Sequence, residues 1–230
     1  MRGWDLSRLA IHREGWRFVA IFALLTAAGC WIWPYFWEVG GLLTLGCAYF
    51  FRDPHRVPPP RPGLVVSPGD GIIVAIAPVV PLAEFGFGNQ PLTRISIFLS
   101  VFNVHINRVP VDGVIESQVY RPGRFVNAAL DKASLDNECN ALCIRMSGGA
   151  TLGVVQIAGL IARRIVTWVR PGQPVRAGER YGLIRFGSRM DVYLPPGATP
   201  LVVPGQTMVG GETVLADLNA AASATQGSLQ

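Results

Sequence analysis

The Gly187-Ser188 bond inside "RFGSRMD", a histidine in an apolar stretch (His105) and a single lysine (Lys132) are where a search for chemistry in this chain begins. Gly-Ser is a common turn dipeptide, and taken alone it is a turn. Lys132 sits in "LDKASLDNE", without the surroundings expected of a lysine that holds pyridoxal as an imine, so that cofactor is not expected. The other source of an electrophilic carbonyl is the chain itself. A serine hydroxyl that attacks the preceding glycine carbonyl turns an amide into an ester. β-Elimination then cuts the chain, and the new N-terminus hydrolyses to a pyruvoyl group. This needs a Gly-Ser or similar bond, a nearby base and a turn presenting one to the other. His105, in "FLSVFNVHINRVP", lies where a charge is costly, and a lone histidine there also reads as a satisfied core residue. His12 and His55 flank an apolar segment and read as solvated. Cys139 and Cys143 form "CNALC" with no second Cys or His pair to complete a zinc site, so no metal is expected. P-loop, dinucleotide-glycine and HExxH motifs are absent from the sequence.

The elements that must position these residues fall into three parts: an apolar region at 1–56, a proline-rich connector "VPPPRPG" at 57–63, and a β-rich region at 64–230. From Phe18 to Phe51 the only formal charge is Glu38, which is more than one bilayer crossing needs and short for two. Pro34 and Gly40-Gly41 interrupt the run, and arginines flank both ends, so a helical hairpin with both ends on the cytoplasmic face is expected. A hairpin buried in a soluble core is the alternative. The apolar run continues past Cys30, which argues against a cleaved signal peptide. Net charge is +5, and nineteen of the twenty basic residues are arginine, without dense basic runs. That balance suits an anionic membrane surface rather than a nucleic acid.

Beyond the connector, short apolar stretches punctuated by Gly, Pro, Asn and Asp predict a mainly β domain. "RFVNAALDKASLDNECN" reads as a loop or short helix. "PGQPVRAGE" at 171–179 recurs as "PGQTMVGGE" at 204–212, and "SPGDGII" recurs as "VPVDGVI" with Asp70 and Asp112 in step. These turns resemble the hammerheads of the barrel-sandwich hybrid of biotinyl and lipoyl domains. No lysine stands in any of them, so the likeness is to architecture and not to a carrier function.

"YGLIRFGSRMDVYLP" resembles the processing segment of the short, membrane-associated phosphatidylserine decarboxylases. "FFRDPHR", "SPGDG", "FLSVFNVHINRVPVDG", "RFVNAALDKASLDNE", "IAGLIARRIV" and "GETVLADL" follow the same family's order across most of residues 49–218. The resemblance implies self-cleavage between Gly187 and Ser188. It gives a large chain, 1–187, paired with a small chain, 188–230, that begins with a pyruvoyl group made from Ser188. That group would form a Schiff base with phosphatidylserine and release phosphatidylethanolamine, a step of phospholipid biosynthesis at the inner membrane. His105 would be base in cleavage and proton donor after carbon dioxide leaves, and Asp70 would orient or polarise a base. Arg163 and Arg164 would hold phosphate or carboxylate, or serve as ordinary surface arginines. Longer family members carry H-x-x-H where this chain has "HINR", and Arg108 cannot act as a general base at ordinary pH. Assembly beyond the two chains is left open. The rival from another class is a membrane-anchored adaptor that binds a partner without catalysis.

Overall fold

The computed structural model describes residues 10–123, 137–159, 164–184 and 188–219. The chain divides into two compact units, Met1–His55 and Arg56–Gln230.

In the first unit, helices α1 (Arg13–Ile32) and α2 (Phe36–Phe50) form an antiparallel pair joined at Trp33–Tyr35. The break falls at Pro34, whose ring cannot continue a helix. The Gly40-Gly41 pair does not interrupt α2. Gly40 instead lets the helices close up, since a Cβ there would collide with the Thr26 side chain. The two ends of the pair are tied together by the Ile11–Arg52 bridge and by Asp53 N–H donating to Ala10 O at 2.6 Å. Arg13 and Arg17, at the start of α1, therefore lie at the same end of the hairpin as Arg52. α1 is long and apolar enough to cross a membrane. α2 is five residues shorter, about 22 Å at 1.5 Å per residue. Trp31, Ile32, Leu24, Leu42 and Leu45 are exposed on this pair, as a lipid-facing surface requires.

The second unit is mainly β. Its strands are β1 (Leu64–Val66), β2 (Gly71–Val79), β3 (Leu92–Leu99), β4 (Ile106–Arg108), β5 (Gly113–Arg121), β6 (Cys139–Arg145) and β7 (Thr151–Ala158). They continue as β8 (Ile165–Thr167), β9 (Pro174–Val175), β10 (Arg180–Ile184), β11 (Ser188–Tyr193), β12 (Thr207–Met208) and β13 (Val214–Asp217). An eight-stranded antiparallel sheet, curled as a half-barrel, runs β12-β2-β3-β11-β7-β6-β5-β9. A three-stranded sheet, β4-β10-β8, and the pair β1-β13 accompany it. Alternation drives the packing. Ile95, Ile97 and Leu99 of β3 enter the main core with Met190 and Val192 of β11, while Phe85, Val155, Ile157 and Tyr193 form a second cluster. Of the stretch "RFVNAALDKASLDNECN", residues 124–136 lie outside the described residues; its last two, Cys139 and Asn140, open β6 rather than a loop.

The sequence repeats are a two-fold pattern in the structure. Gly210 N–H donates to Asp70 Oδ1 at 2.8 Å, and Ala177 N–H donates to Asp112 Oδ1 at the same distance. Gly211 N–H reaches Ser67 O, and Gly178 N–H reaches Val109 O, with both glycines at positive φ. Arg108 N–H donates to Pro68 O while Val66 N–H donates to Pro110 O, so the two halves clasp each other reciprocally.

Candidate active site

Ser188 opens β11, a strand paired on both edges: Ser188 faces Leu99 of β3 and Ala158 of β7. Its side chain is fully buried, and Oγ has no hydrogen-bond partner among the described residues. A buried hydroxyl left unbonded costs about 1–3 kcal/mol, so its retention calls for a reason. Gly187, the other half of the expected cleavage bond, lies outside the described residues.

His105 is brought to the same end of the fold by β10. Leu183 pairs with Ile106, and Ile184 N–H donates to His105 O at 3.4 Å. From Ile184 only three residues, 185–187, lead to Ser188. The histidine is fully buried, and its Nδ1 lies 2.9 Å from Asn103 O. A carbonyl can only accept, so Nδ1 carries a proton, and in the neutral ring Nε2 then carries the lone pair, the form a general base requires.

The strands on either side place the rest. Asn107, two residues beyond His105, donates from Nδ2 to Met190 Sδ at 3.2 Å; Met190 is likewise two residues beyond Ser188. Asn107 Oδ1 accepts from Gln156 Nε2 at 2.7 Å, and Gln156 Oε1 accepts from Asn140 Nδ2 at 2.9 Å. All three amides are buried, so this chain of bonds fixes β4, β7 and β6 to one another beside β11. The polar triplet was missed from sequence, although each member is a polar interruption of an apolar strand.

Asp70 approaches this group through its loop. A Cβ on the preceding Gly69 would lie 3.0 Å from Met190 Sδ and 3.8 Å from Asn107 Nδ2. The Asp70 carboxylate itself bonds Arg56 Nη2, at 2.8 and 3.1 Å, and the Gly210 amide. Among the described residues its bonds go to these groups and not to His105. Arg56 comes from "FFRDPHR", a role the sequence did not disclose. Arg164 is exposed and immediately precedes β8, where Ile165 pairs with Ile184, so it stands at the same end of β10 as His105. Arg163 lies outside the described residues. Arg108, in the second position of "HINR", is buried and donates from Nη1 to Gly178 O at 2.9 Å.

On the other face of β11, Arg189 and Asp191 form a fully buried ion pair, with Nη2 donating to Oδ2 and Nε in ionic contact with Oδ1, each at 2.9 Å. Burial pushes the Tyr193 hydroxyl up to about 12, with the Asp191 charge adding to it. Burial likewise raises the Cys143 thiol to about 11, helped by Glu116, so this cysteine is held as an inert thiol. A cavity of about 650 Å³ lies elsewhere, against the Asp112 turn, between Pro59, Arg61, Val111 and Arg176. It belongs to the half that mirrors the Asp70 turn and not to Ser188. Among the described residues no cluster of His, Cys, Asp or Glu could hold a metal ion.

The domain is thus a mainly β one that buries a serine hydroxyl, unbonded among the described residues, on a central strand: Ser188 stands opposite Leu99, a few residues before the segment that carries His105. The phosphatidylserine decarboxylase family profile matches residues 43–216. The chain is 56% identical over 218 residues to the phosphatidylserine decarboxylase proenzyme of Cereibacter sphaeroides, covering 95% of this chain and 94% of that protein. It is 59% identical over 208 residues to the proenzyme of Ruegeria pomeroyi (90% and 95% covered) and 61% over 207 residues to that of Nitrobacter winogradskyi (90% and 84% covered). The chain belongs to the phosphatidylserine decarboxylase family. It is accordingly a carboxy-lyase, made as a proenzyme and dependent on a pyruvoyl group formed from one of its serines. The adaptor reading is set aside by this membership. The buried, unbonded Ser188 hydroxyl fits the residue from which such a group is made.

Proposed function

We propose that Ser188 is the serine converted, that the chain is cut between Gly187 and Ser188, and that His105 is the base for the cut. The observation that carries this is the buried Ser188 Oγ without a partner among the described residues, a short step in sequence from a strand end bonded to His105. His105 Nε2 takes the hydroxyl proton as Oγ adds to the Gly187 carbonyl carbon. The C–N bond breaks, and the amide becomes an ester. Loss of the residue-188 Cα proton then expels the Gly187 carboxylate, and hydrolysis releases ammonia and leaves a ketone at residue 188. Once formed, the pyruvoyl group supplies a sink for the electron pair left when carbon dioxide departs. His105 then holds the proton that returns to the substrate carbon. Asp70 acts as a positioning residue: anchored by Arg56 and Gly210, it fixes the loop whose Gly69 lies against Met190 and Asn107. Arg164 offers a charge for the substrate's phosphate or carboxylate.

The two chains stay together after the cut. The small chain supplies β11 to the middle of the large sheet, β12 to its edge and β13 to the separate pair with β1, burying Met190, Val192, Leu194 and Leu215. The hairpin, with arginines gathered at one end, holds the enzyme at the membrane from the cytoplasmic face.

Denaturing intact-mass spectrometry of purified protein, with carbon dioxide release from phosphatidylserine, tests this. Two chains meeting at 187/188, with the small one blocked to N-terminal sequencing, are expected, together with an uncut, inactive Ser188→Ala variant. Cleavage elsewhere, or an active Ser188→Ala protein, overturns the assignment.

A further inference from the structure

Two residues before His105 the chain makes a turn of unusual composition. Asn103 N–H donates to Ser100 O at 3.0 Å, so Val101 and Phe102 are the turn's two central residues. Those positions ordinarily take Gly, Pro, Asn, Asp or Ser, and a β-branched residue followed by Phe is a poor choice for water. Yet the turn is firmly built: Asn103 Oδ1 accepts from Ser100 N–H at 2.8 Å and bonds Ser100 Oγ at 2.9 Å. Phe102 is 73% exposed and Val101 39%. The apolar surface continues onto the sheet. Ile72 pairs directly with Phe98 at the end of β3, and Ile72 and Val74 are both exposed on β2.

We propose that the Ser100–Asn103 turn, with Ile72 and Val74 beside it, is a lipid-docking surface of the catalytic unit, and that its occupant is the bilayer that carries the substrate. The inference rests on the reading of this chain as a lipid decarboxylase. Its added content is that the catalytic unit has its own foothold in the acyl region, separate from the α1–α2 pair. The foothold is built into the active site. The same Asn103 that closes the turn offers its carbonyl to His105 Nδ1. Seating Phe102 below the headgroups therefore sets the depth of His105 against the substrate's amine and carboxylate. A bilayer is favoured over a protein partner because the family's substrate is itself a bilayer lipid, and its headgroup must reach a residue buried beside this turn.

The test compares full-length wild type with Val101→Ser/Phe102→Ser on two forms of substrate. One is long-chain phosphatidylserine in reconstituted bilayers, and the other is short-chain phosphatidylserine dispersed as monomers. The ratio of kcat/KM on bilayer to dispersed substrate is expected to fall about tenfold or more in the double variant, the loss of one buried aromatic and one aliphatic anchor. Val80→Ser, which removes an exposed valine away from the turn, leaves the ratio unchanged. A ratio within about twofold of wild type in the double variant overturns the proposal, because a serine pair at the tip would then cost no more than an ordinary surface change. A second readout is independent of catalysis. Phe102→Trp in bilayers of brominated phosphatidylcholine is expected to add tryptophan emission that is quenched relative to unbrominated lipid, and unquenched added emission overturns the docking. Wild type that releases no carbon dioxide from either substrate would refute the decarboxylase reading instead, a result distinguishable from both.

Discussion

Asp70 and Asp112 offer an internal control for separating architecture from chemistry. Each accepts a backbone amide at 2.8 Å, from Gly210 and Ala177, across equivalent turns. Asp70 alone of the two, among the described residues, also grips an arginine through both carboxylate oxygens. Substitution by Asn keeps one acceptor oxygen for the amide and removes the charge. For Asp112→Asn the loss is the charge assistance of one exposed bond, about 1 kcal/mol, which in a chain of this size lowers Tm by about 2–4 °C. For Asp70→Asn the same loss is joined by that of a two-pronged pair whose side chains are only 14% and 16% exposed. Arg56 is then left with Glu212 at 4.0 Å. The total is about 2–3 kcal/mol, or roughly 5–10 °C.

Chemistry should separate the two variants further. With its clamp gone, the loop carrying Gly69 can shift against Met190 and Asn107, and a displacement of about 1 Å near reacting groups costs on the order of a hundredfold in rate. The assay follows conversion of newly made full-length chain, by cell-free synthesis and timed denaturing mass spectrometry. Asp112→Asn is expected to process at close to the wild-type rate, and Asp70→Asn about ten- to a hundredfold slower. Equal slowing in both variants would refute the argument, because Asp70 would then be no more than the partner of Asp112 in a symmetric frame. Equal loss of Tm would refute the account of Arg56.

Other perturbations probe the surroundings. Gln156→Leu strands Asn107 Oδ1 and leaves Asn140 Nδ2 with Thr167 Oγ1 alone, and is expected to cost about 1–3 kcal/mol in denaturant unfolding and to slow processing. Asp191→Asn leaves Arg189 buried beside a neutral partner and should cost about 3–5 kcal/mol, whereas Arg189→Met combined with Asp191→Leu should cost clearly less. Cys143, held near 11 by burial, is about 1% thiolate at pH 9, so alkylation of the native protein should be far slower than of the unfolded chain until the pH approaches 11. Tyr193 keeps its proton in the folded state up to about 12 against 10.0 unfolded. The folded form therefore binds the extra proton between these values, and stability falls by roughly 3 kcal/mol as pH rises from 10 to 12; Tyr193→Phe should flatten that slope.

What could be read before the structure follows from how far apart the cooperating residues are. The hairpin was legible because an apolar run of this length has few homes, although Gly40 proved to be a packing contact and not a break. Strands β2, β3 and β7 were legible from alternation and bounding turns. Strands β8, β9 and β12 have two or three residues each, too few for a period to show. The Asn107–Gln156–Asn140 series joins positions 49 and 16 residues apart, and nothing local in "HINR" or "VVQIAG" announces the partner. Arg56 and Asp70 are nearer in sequence, yet a proline-rich connector separates them, and only the fold turns one back onto the other.

The sheet order itself sets the proposed site apart from the rest of the frame. Read from either edge, β12-β2-β3 and β9-β5-β6 are equivalents, and β11 and β7 meet in the middle. The halves share their hammerhead turns, their Asp-amide bonds and the crossed bonds between Val66, Pro110, Pro68 and Arg108. They part company after β3 and β6. One half closes β6 to β7 through a tight turn at Met146–Ala150, while the other carries β3 into the longer Ser100–His105 segment. They differ again after β10, from which three residues of sequence lead to Ser188 at the start of the central strand β11. Residues whose two-fold counterpart makes the equivalent backbone bond, such as Gly178 and Gly211, hold the frame. The proposed site residues His105 and Ser188, and the Val101–Phe102 turn, occupy the places where the two-fold pattern fails, where a reaction can shape the chain without disturbing the frame.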